Sequence, residues 1–252
     1  MKYMGSKSRV AKYIVPIIQK YIDENNIKKY VEPFVGGANI IDKIKCEEKY
    51  GFDNNKYLIA LLKRVQNGEK LYDEVSKELY DKARTAFNNN DTSKFEDWEV
   101  GNIGFIASFN GRWFDGGYAK TGYENTKNGL RLRNYYQESK NNILAQASNL
   151  KGINFMTCDY RELMNELNNT GMLIYCDPPY QGVKQYANAM RFDYNEFWNI
   201  MREWSKDNIL LISEQNAPDD FECIWEQEVS RSINATNKIK SIEKLFKYRN
   251  NV

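Results

Sequence analysis

The sequence predicts an α/β protein: a doubly wound core of mainly parallel strands, interrupted by a mostly helical insert. Three observations predict it. Apolar strand-like runs alternate with amphipathic helical stretches at both ends of the chain. The alternation lapses between about residues 61 and 151. Two strand-like runs end in Gly-Gly or Pro-Pro, the punctuation of ligand-binding loops at strand ends. Taken in order, Val10, Ile14, Ile17 or Ile18, and Tyr21 recur at helical spacing behind Ser8, a capping residue, so a helix is expected over roughly 8–23, bent at Pro16. Tyr30–Val35 reads as a strand running into Gly36-Gly37, Lys49–Phe52 as a second, and a helix follows from about Lys56 to Asn67-Gly68. Glu69–Phe87 is helical and polar, Asn88–Ser93 is a loop, and 97–133 is dense in Gly, Asn and aromatics. Strand and helix then resume as Ile153–Thr157, Arg161–Leu167, Met172–Cys176, Tyr194–Lys206 and Asn208–Ser213, and Cys223–Ser230 with Ser241–Tyr248 suit an antiparallel pair at the sheet edge. The expected division is a core of 1–60 plus 152–252 with an insert of 61–151.

Composition removes several chemistries. Of 252 residues none is histidine, which excludes a Ser-His-Asp triad, a His-ligated metal and imidazole acid-base catalysis. Cys46, Cys158, Cys176 and Cys223 are scattered without a C-x-x-C pair, so reduced thiols are expected rather than a zinc site. No carboxylate cluster looks dedicated to a metal, and none is expected. No apolar run approaches the roughly 20 residues of a membrane span, and the start MKYMGSKSRV lacks the apolar stretch of a secretory signal, so the expected location is the cytoplasm. The net charge of +2 hides an asymmetry: seven basic against three acidic residues over 112–151, six against one over 231–252, but five against fourteen over 158–229. Basic regions flanking an acidic one suggest a polyanion partner, or else solvated helix faces.

The strongest chemical signal is Asp177-Pro178-Pro179-Tyr180, placed directly after the apolar run Met172–Cys176. Two prolines fix φ near −65° and stiffen the turn, so the Asp177 carboxylate and the Pro178 carbonyl become a rigid pair of acceptors. Tyr180 offers a flat ring against which a base could stack. Such a pair suits methylation of an exocyclic amine on a nucleobase, whose lone pair is delocalised into the ring. Acceptors on both amino hydrogens draw the nitrogen towards tetrahedral geometry and localise that lone pair. The bland alternative is a strand-ending turn with a packed Tyr.

A second signal is the run from Tyr30 to Asn39, whose glycines let a neighbour approach the backbone. It carries neither G-x-G-x-x-G nor a P-loop, which disfavours dinucleotides and nucleoside triphosphates. Seventeen residues beyond Gly36, Asp53 stands where an acid can bond both hydroxyls of a ribose. Together these imply an adenosine-containing ligand without a pyrophosphate. Separately, Gly-Gly is an ordinary turn and Asp53-Asn54-Asn55 is a good helix cap.

These motifs, in this order, resemble the Dam-type, alpha-group (D12 class) DNA adenine-N6 methyltransferases, over about 1–60 and 152–216. The resemblance implies a Rossmann-like core that uses S-adenosylmethionine, releases S-adenosylhomocysteine and carries an inserted, mostly helical target-recognition domain. Residues 2–7 look like the family's N-terminal cofactor motif, with Tyr3, Met4, Gly5 and Lys7 in place. Glu32, Pro33, Phe34, Val35, Gly36 and Gly37, with Asn39, look like the methionine-binding turn. Asp53 with Asn54 falls on the ribose-binding acid, Cys158, Asp159 and Tyr160 on the segment beside the cofactor adenine, and Asp177–Tyr180 on the catalytic tetrapeptide. Ser213–Asn216 looks like a late pocket wall. In the insert, Asn110, Arg112, Tyr118, Lys120, Lys127, Arg131 and Arg133 are the expected contacts to duplex DNA, with Phe109, Trp113 and Phe114 equally suited to a core. The insert does not align with the one that reads GATC, and the tail leaves no room for a nuclease, so a restriction endonuclease partner would be a separate protein. N4-cytosine methylation is the nearest chemical alternative. Methylation of RNA or of a protein glutamine comes next, the latter family usually having Asn at the place of Asp177. A non-catalytic DNA binder would have no need of Tyr3, Lys7, Asp53 and Asp177–Tyr180 together.

Overall fold

The computed structural model describes residues 1–126, 129–167, 170–180, 192–232 and 238–249. In chain order the elements are α1 (Ala11–Glu24), β1 (Lys29–Glu32), β2 (Glu48–Asp53), α2 (Lys56–Gln66), α3 (Lys77–Asn88), α4 (Asp97–Gly101), β3 (Gly122–Thr126), β4 (Gly129–Arg133), α5 (Tyr135–Leu144), α6 (Ala147–Leu150), β5 (Ile153–Thr157), α7 (Leu163–Glu166), β6 (Met172–Cys176), α8 (Tyr194–Trp204), β7 (Ile209–Glu214), β8 (Phe221–Ser232) and β9 (Lys238–Tyr248). The chain divides into two compact units. One comprises Met1–Lys12, Val35–Lys43 and Asp53–Thr157; the other comprises Tyr13–Phe34, Ile44–Phe52 and Cys158–Val252. The predicted insert, 61–151, falls inside the first unit together with the glycine turn and the N-terminal segment.

The second unit carries six strands in the order β2-β1-β6-β7-β9-β8. The first four run parallel, while β9 is antiparallel to β7 and β8 to β9. From β1 the chain passes to β2 on one side, whereas β6 lies on the other, so the strand order reverses between β1 and β6. That reversal is where open α/β sheets bind ligands, outside the carboxyl ends of the strands. Every residue of β6 is buried, as expected of a central parallel strand covered on both faces. Helix α8 covers part of it through Phe197, Trp198, Met201 and Trp204, and Met201 Sδ lies 3.6 Å from Cys176 Sγ. Helix α1 buries Ile14, Ile18 and Ile22 at four-residue spacing and runs on through Pro16.

The first unit is organised around α2, which buries Leu58, Ile59, Leu61, Leu62 and Val65. Asn55 caps it by accepting from the amides of Tyr57 and Leu58 at 3.1 Å each. Gly101, at the end of α4, lies so close to α2 that a Cβ there would collide with the Tyr57 carbonyl oxygen and sit 3.1 Å from Leu61 Cβ. A single π-turn, Asn102–Ile106, comes next with all five residues buried, and Phe105 packs on Trp113 with ring centroids 4.4 Å apart. Trp113 and Phe114 are core residues, whereas Phe109 is exposed.

Three differences from the sequence-based expectation have local causes. Strand β1 stops at Glu32 rather than Val35 because the chain turns there: Gly36 has φ +47 and Ala38 φ +54, and the Ala38 amide donates to the Val35 carbonyl at 2.9 Å. The polar helix begins at Lys77 rather than Glu69 because Ser76 caps it, accepting from the Leu79 amide at 3.1 Å. Within 97–133 lies a two-stranded hairpin, β3 with β4, in a segment expected to be mostly helical. Among the described residues no helix is long and apolar enough to cross a membrane.

Substituting Gly101→Ala forces a methyl into the α2–α4 contact and is expected to cost roughly 1–3 kcal/mol. Urea denaturation measures it, and an unchanged midpoint would show that the two helices can separate without loss.

Candidate active site

The tetrapeptide Asp177-Pro178-Pro179-Tyr180 continues directly from β6 in the second unit. The register Val31↔Ile174 sets the ends of β1 and β6 side by side, so Glu32-Pro33-Phe34 and Asp177-Pro178-Pro179-Tyr180 leave the sheet at its reversal point. Asp177 is half-buried, Pro178 buried and Pro179 exposed. Tyr180 is buried, with 8% of its surface exposed, and its hydroxyl donates to Glu243 Oε2 at 2.8 Å. The ring is therefore tied at its hydroxyl and mostly covered, rather than open as a stacking platform. Burial first, then the charges of Asp177 and Glu243, push the Tyr180 phenol well above its ordinary range and keep it neutral. Glu32 is also buried and accepts from the Tyr30 hydroxyl at 2.7 Å. At the end of β7, Glu214 is buried and accepts from the Gln215 amide at 2.7 Å, while Ser213 shares a 2.8 Å hydrogen bond with Tyr175.

Beside these ends stands an aromatic group. Phe34 and Tyr160 have ring centroids 5.2 Å apart at 39°, and Phe192 lies 6.1 Å from Phe34 and 5.6 Å from Tyr160. Phe197 closes the group from α8, 5.8 Å from Tyr160. Cys158 is half-buried. Asp159 caps the short turn after it and is held by Arg161 through two contacts of 2.8 Å, which lower its pKa. Sequence reasoning does not single out Phe192 or Glu243. Phe192 carries no motif. Glu243 does leave a trace, as the one acid among six cations in residues 231–252.

The glycine turn and its partners lie in the first unit. A Cβ on Gly36 would sit 3.0 Å from Tyr3 Cε1, and one on Gly37 3.0 Å from Tyr3 Cβ and 2.6 Å from Asn39 Nδ2. The close neighbour admitted by these glycines is therefore the chain's own N-terminal segment. The Gly36 amide donates to Asp53 Oδ2 at 3.2 Å and the Asn55 amide to Asp53 Oδ1 at 3.0 Å. Because Asn55 caps α2, Asp53 is left to the turn. Burial is the largest influence on Asp53 and pushes its pKa up to about 6, against the two backbone donors. Asn39 is buried, and its Nδ2 donates to Ser6 Oγ at 2.9 Å and to the Met1 carbonyl at 3.2 Å. Lys7 is buried, Met4 and Val35 are largely covered, and Gly5, with φ +80, and Asn54 are exposed.

Within the first unit, the Asp53 carboxylate beside the Gly36–Gly37 turn has the chemistry to accept hydroxyl hydrogens of a ligand. Among the described residues no three His, Cys, Asp or Glu side chains converge as a metal site.

The expected nucleic-acid contacts also lie in the first unit. Asn110 and Arg112 are exposed on the turn around Gly111, and Lys120 is exposed beyond the Ser108–Tyr118 bridge. Asn110, with φ +56, and Gly111, with φ +66, form a left-handed pair, and a Cβ on Gly111 would meet the Lys2 carbonyl oxygen. Tyr118 donates to the Val75 carbonyl at 2.6 Å, which commits its hydroxyl to the fold. Arg131 is exposed on the hairpin, and Lys127 lies outside the described residues. On one hairpin face Tyr123 and Leu132 are paired, with Leu130 beyond them, and these are 75%, 57% and 73% exposed. On the other, Arg133 bonds Glu138 with Nε to Oε1 at 2.8 Å and Nη2 to Oε2 at 2.5 Å, and reaches Glu124 at 3.1 Å. Lys2 completes the group, 3.6 Å from Glu138.

The sequence model of a family described as D12 class N6 adenine-specific DNA methyltransferases matches residues 3–246. The chain is 28% identical to a relative from Methanocaldococcus jannaschii named Type II methyltransferase M.MjaIII, with 78% of this chain and 74% of the relative covered. It is 25% identical to a DNA adenine methylase of Vibrio cholerae, with 78% and 70% covered.

The hairpin anchor titrates in a definite window. Arg133 is the main cause that holds Glu138 down to about 2, below its ordinary 4.5. The pair's stabilisation is thus fully present above pH 4.5 and lost as pH falls towards 2. Glu138→Gln is expected to cost roughly 1–2 kcal/mol near neutrality, the gap to the parent shrinking below about pH 4.5 and closing only near pH 2. Denaturation curves across that range test it, and a gap independent of pH would rule the ion pair out as its source.

Proposed function

The chain belongs to the D12 class N6 adenine-specific DNA methyltransferases, and from that premise we propose that it takes its methyl group from S-adenosylmethionine and transfers it to an adenine flipped out of duplex DNA. Membership makes it an enzyme that methylates adenine in DNA at N6. The observation that carries the proposal is the emergence of Asp177-Pro-Pro-Tyr180 and Glu32-Pro33-Phe34 from adjacent strands at the point where the sheet order reverses. The cofactor would supply an electrophilic methyl on a sulfonium.

The chain's own residues do the rest. The Asp177 carboxylate and the Pro178 carbonyl accept the two N6 hydrogens and turn the lone pair out of the adenine plane. The prolines keep both acceptors fixed, so that little reorganisation accompanies transfer. Tyr180, held by Glu243, closes the turn and leaves little of its ring for a base. Asp53 receives ribose hydroxyls, the turn of Gly36 and Gly37 receives the methionine end, Tyr3 and Lys7 support it, and Phe34, Tyr160 and Phe192 receive adenine. Because N6 of adenine is paired inside a duplex, reaching it requires extrusion of the base.

Segment 61–151 serves as target recognition between the core segments 1–60 and 152–252. Its exposed Asn110, Arg112, Lys120 and Arg131 read or hold DNA. Arg133 anchors the hairpin through Glu138 and Glu124 while presenting the remainder of its charge to phosphate. The enzyme works in the cytoplasm without a metal, and its reading as the methylating half of a restriction-modification system is supported by the archaeal relative's being named a Type II methyltransferase.

Labelled S-adenosylmethionine incubated with duplex DNA, then digestion to nucleosides, is expected to place label in N6-methyladenosine. Asp177→Ala should lower transfer by at least about 10³-fold while cofactor binding persists. Label in another nucleoside, or full activity in the variant, would overturn the assignment.

Asp53 sets a pH dependence for cofactor affinity. Hydroxyl donors favour the carboxylate, so affinity should be constant above about pH 6 and weaken roughly tenfold per unit below it. Asp53→Asn should bind more weakly and without that slope. Equilibrium dialysis from about pH 5 to 8 checks both, and a flat profile in the parent protein contradicts the role.

A further inference from the structure

We propose that Gln146 is a positioning residue for the cofactor, holding the glycine turn from the side opposite Asp53. The inference rests on the assignment of S-adenosylmethionine as methyl donor and adds to it a residue that lies at the far end of the predicted insert, in the short link between α5 and α6. Gln146 is 8% exposed. Its Nε2 lies 3.0 Å from Asp42 Oδ2, 3.3 Å from the Ala38 carbonyl oxygen, and 3.4 Å from both the Gly37 carbonyl oxygen and Asn39 Oδ1. Its Oε1 accepts from the Met1 amino group. Two N–H groups are thus shared among four acceptors, three of which belong to the turn and the residue after it.

The turn needs this support for a conformational reason. Ala38 carries a Cβ yet has φ +54, a left-handed conformation that persists only when its surroundings impose it. Its amide is used within the turn, on the Val35 carbonyl, and the Gly36 amide is used on Asp53. Those bonds fix the donors. The carbonyls of Gly37 and Ala38 point the other way, into a buried region where an unpaired acceptor is costly. Lys43 cannot serve them, because its Nζ is taken by the Asn39 carbonyl at 2.9 Å and Asp42 Oδ1 at 2.6 Å. The Met1 amino group reaches the Gly37 carbonyl at 3.4 Å; Gln146 shares that acceptor, supplies the side-chain donor to the Ala38 carbonyl, and is in turn oriented by Asp42 and Met1. A ligand seated against the turn therefore meets a backbone whose peptide planes are set by a side chain that it never touches. Loss of that side chain should loosen the turn and lower cofactor affinity, while the groups that grip the amine, Asp177 and Pro178, are unaffected.

The test uses the full-length enzyme and three variants, Gln146→Leu, Gln146→Asn and Gln146→Glu, with S-adenosylmethionine dissociation constants from equilibrium dialysis and steady-state kcat and KM on duplex DNA. For Gln146→Leu we expect the cofactor dissociation constant and KM to rise about tenfold or more, with kcat at saturating cofactor within about twofold and KM for DNA unchanged. Gln146→Asn keeps the amide on a shorter stem and should fall between Leu and the parent. Gln146→Glu, which faces carbonyls and the Asp42 carboxylate, should be the weakest binder. If Gln146→Leu fails to fold, the same comparison on Gln146→Asn decides. Unchanged cofactor affinity in a folded variant, or kcat falling as far as KM rises, overturns the positioning role. Failure of the parent enzyme to bind S-adenosylmethionine overturns instead the cofactor assignment on which it rests.

Discussion

A carboxylate at the end of a strand with no solvent-facing side is the constraint on which the rest of this structure depends. Strand β6 is buried at every residue and flanked by β1 and β7 in parallel, so its backbone has no freedom to shift. Asp177 is the first residue beyond it, and Pro178 and Pro179 restrict the backbone of the turn. Tyr180 then returns into the protein and is tied to Glu243 on β9. The acceptor pair is thus bracketed by a rigid strand on one side and a buried hydrogen bond on the other. In the proposed reaction, acceptors held at such a point need little free energy for their ordering, the condition under which fixed dipoles act most strongly on a developing charge.

The glycine turn illustrates the opposite solution. Its backbone is intrinsically unfavourable, with left-handed conformations at Gly36 and Ala38, and it is kept in shape by side chains from distant parts of the chain. Asp53, Asn39 and Gln146 each satisfy one aspect of it, and Tyr3 occupies the space that side chains would otherwise take. The raised Asp53 pKa follows from partial desolvation beside the turn, opposed by the Gly36 and Asn55 amides.

Legibility in the sequence tracks the range of the interactions. Strand β6, its tetrapeptide and the β8–β9 pair are readable because periodicity and proline placement are local. Which of residues 53–55 caps the following helix is not readable, since either residue type caps well; in the structure the cap is Asn55. The hairpin β3–β4 escapes because Tyr123, Leu130 and Leu132 are exposed and no core demands their alternation, even though Asn128-Gly129 is a hairpin dipeptide. Glu243 and Gln146 are out of reach, as their partners lie 63 and more than 100 residues away.

The chain enters the first compact unit three times, through Met1–Lys12, Val35–Lys43 and Asp53–Thr157. Gln66 is bonded to Leu150 and Ile153, and the N-terminal segment to Gln146. On a ribosome, therefore, the first residues made must wait for some of the last of this unit before their native neighbours exist. High contact order of this kind slows folding. It also means that residues 61–151 cannot be lifted out and grafted between enzymes as a self-contained cassette, because doing so would strip the glycine turn of the amide that braces it.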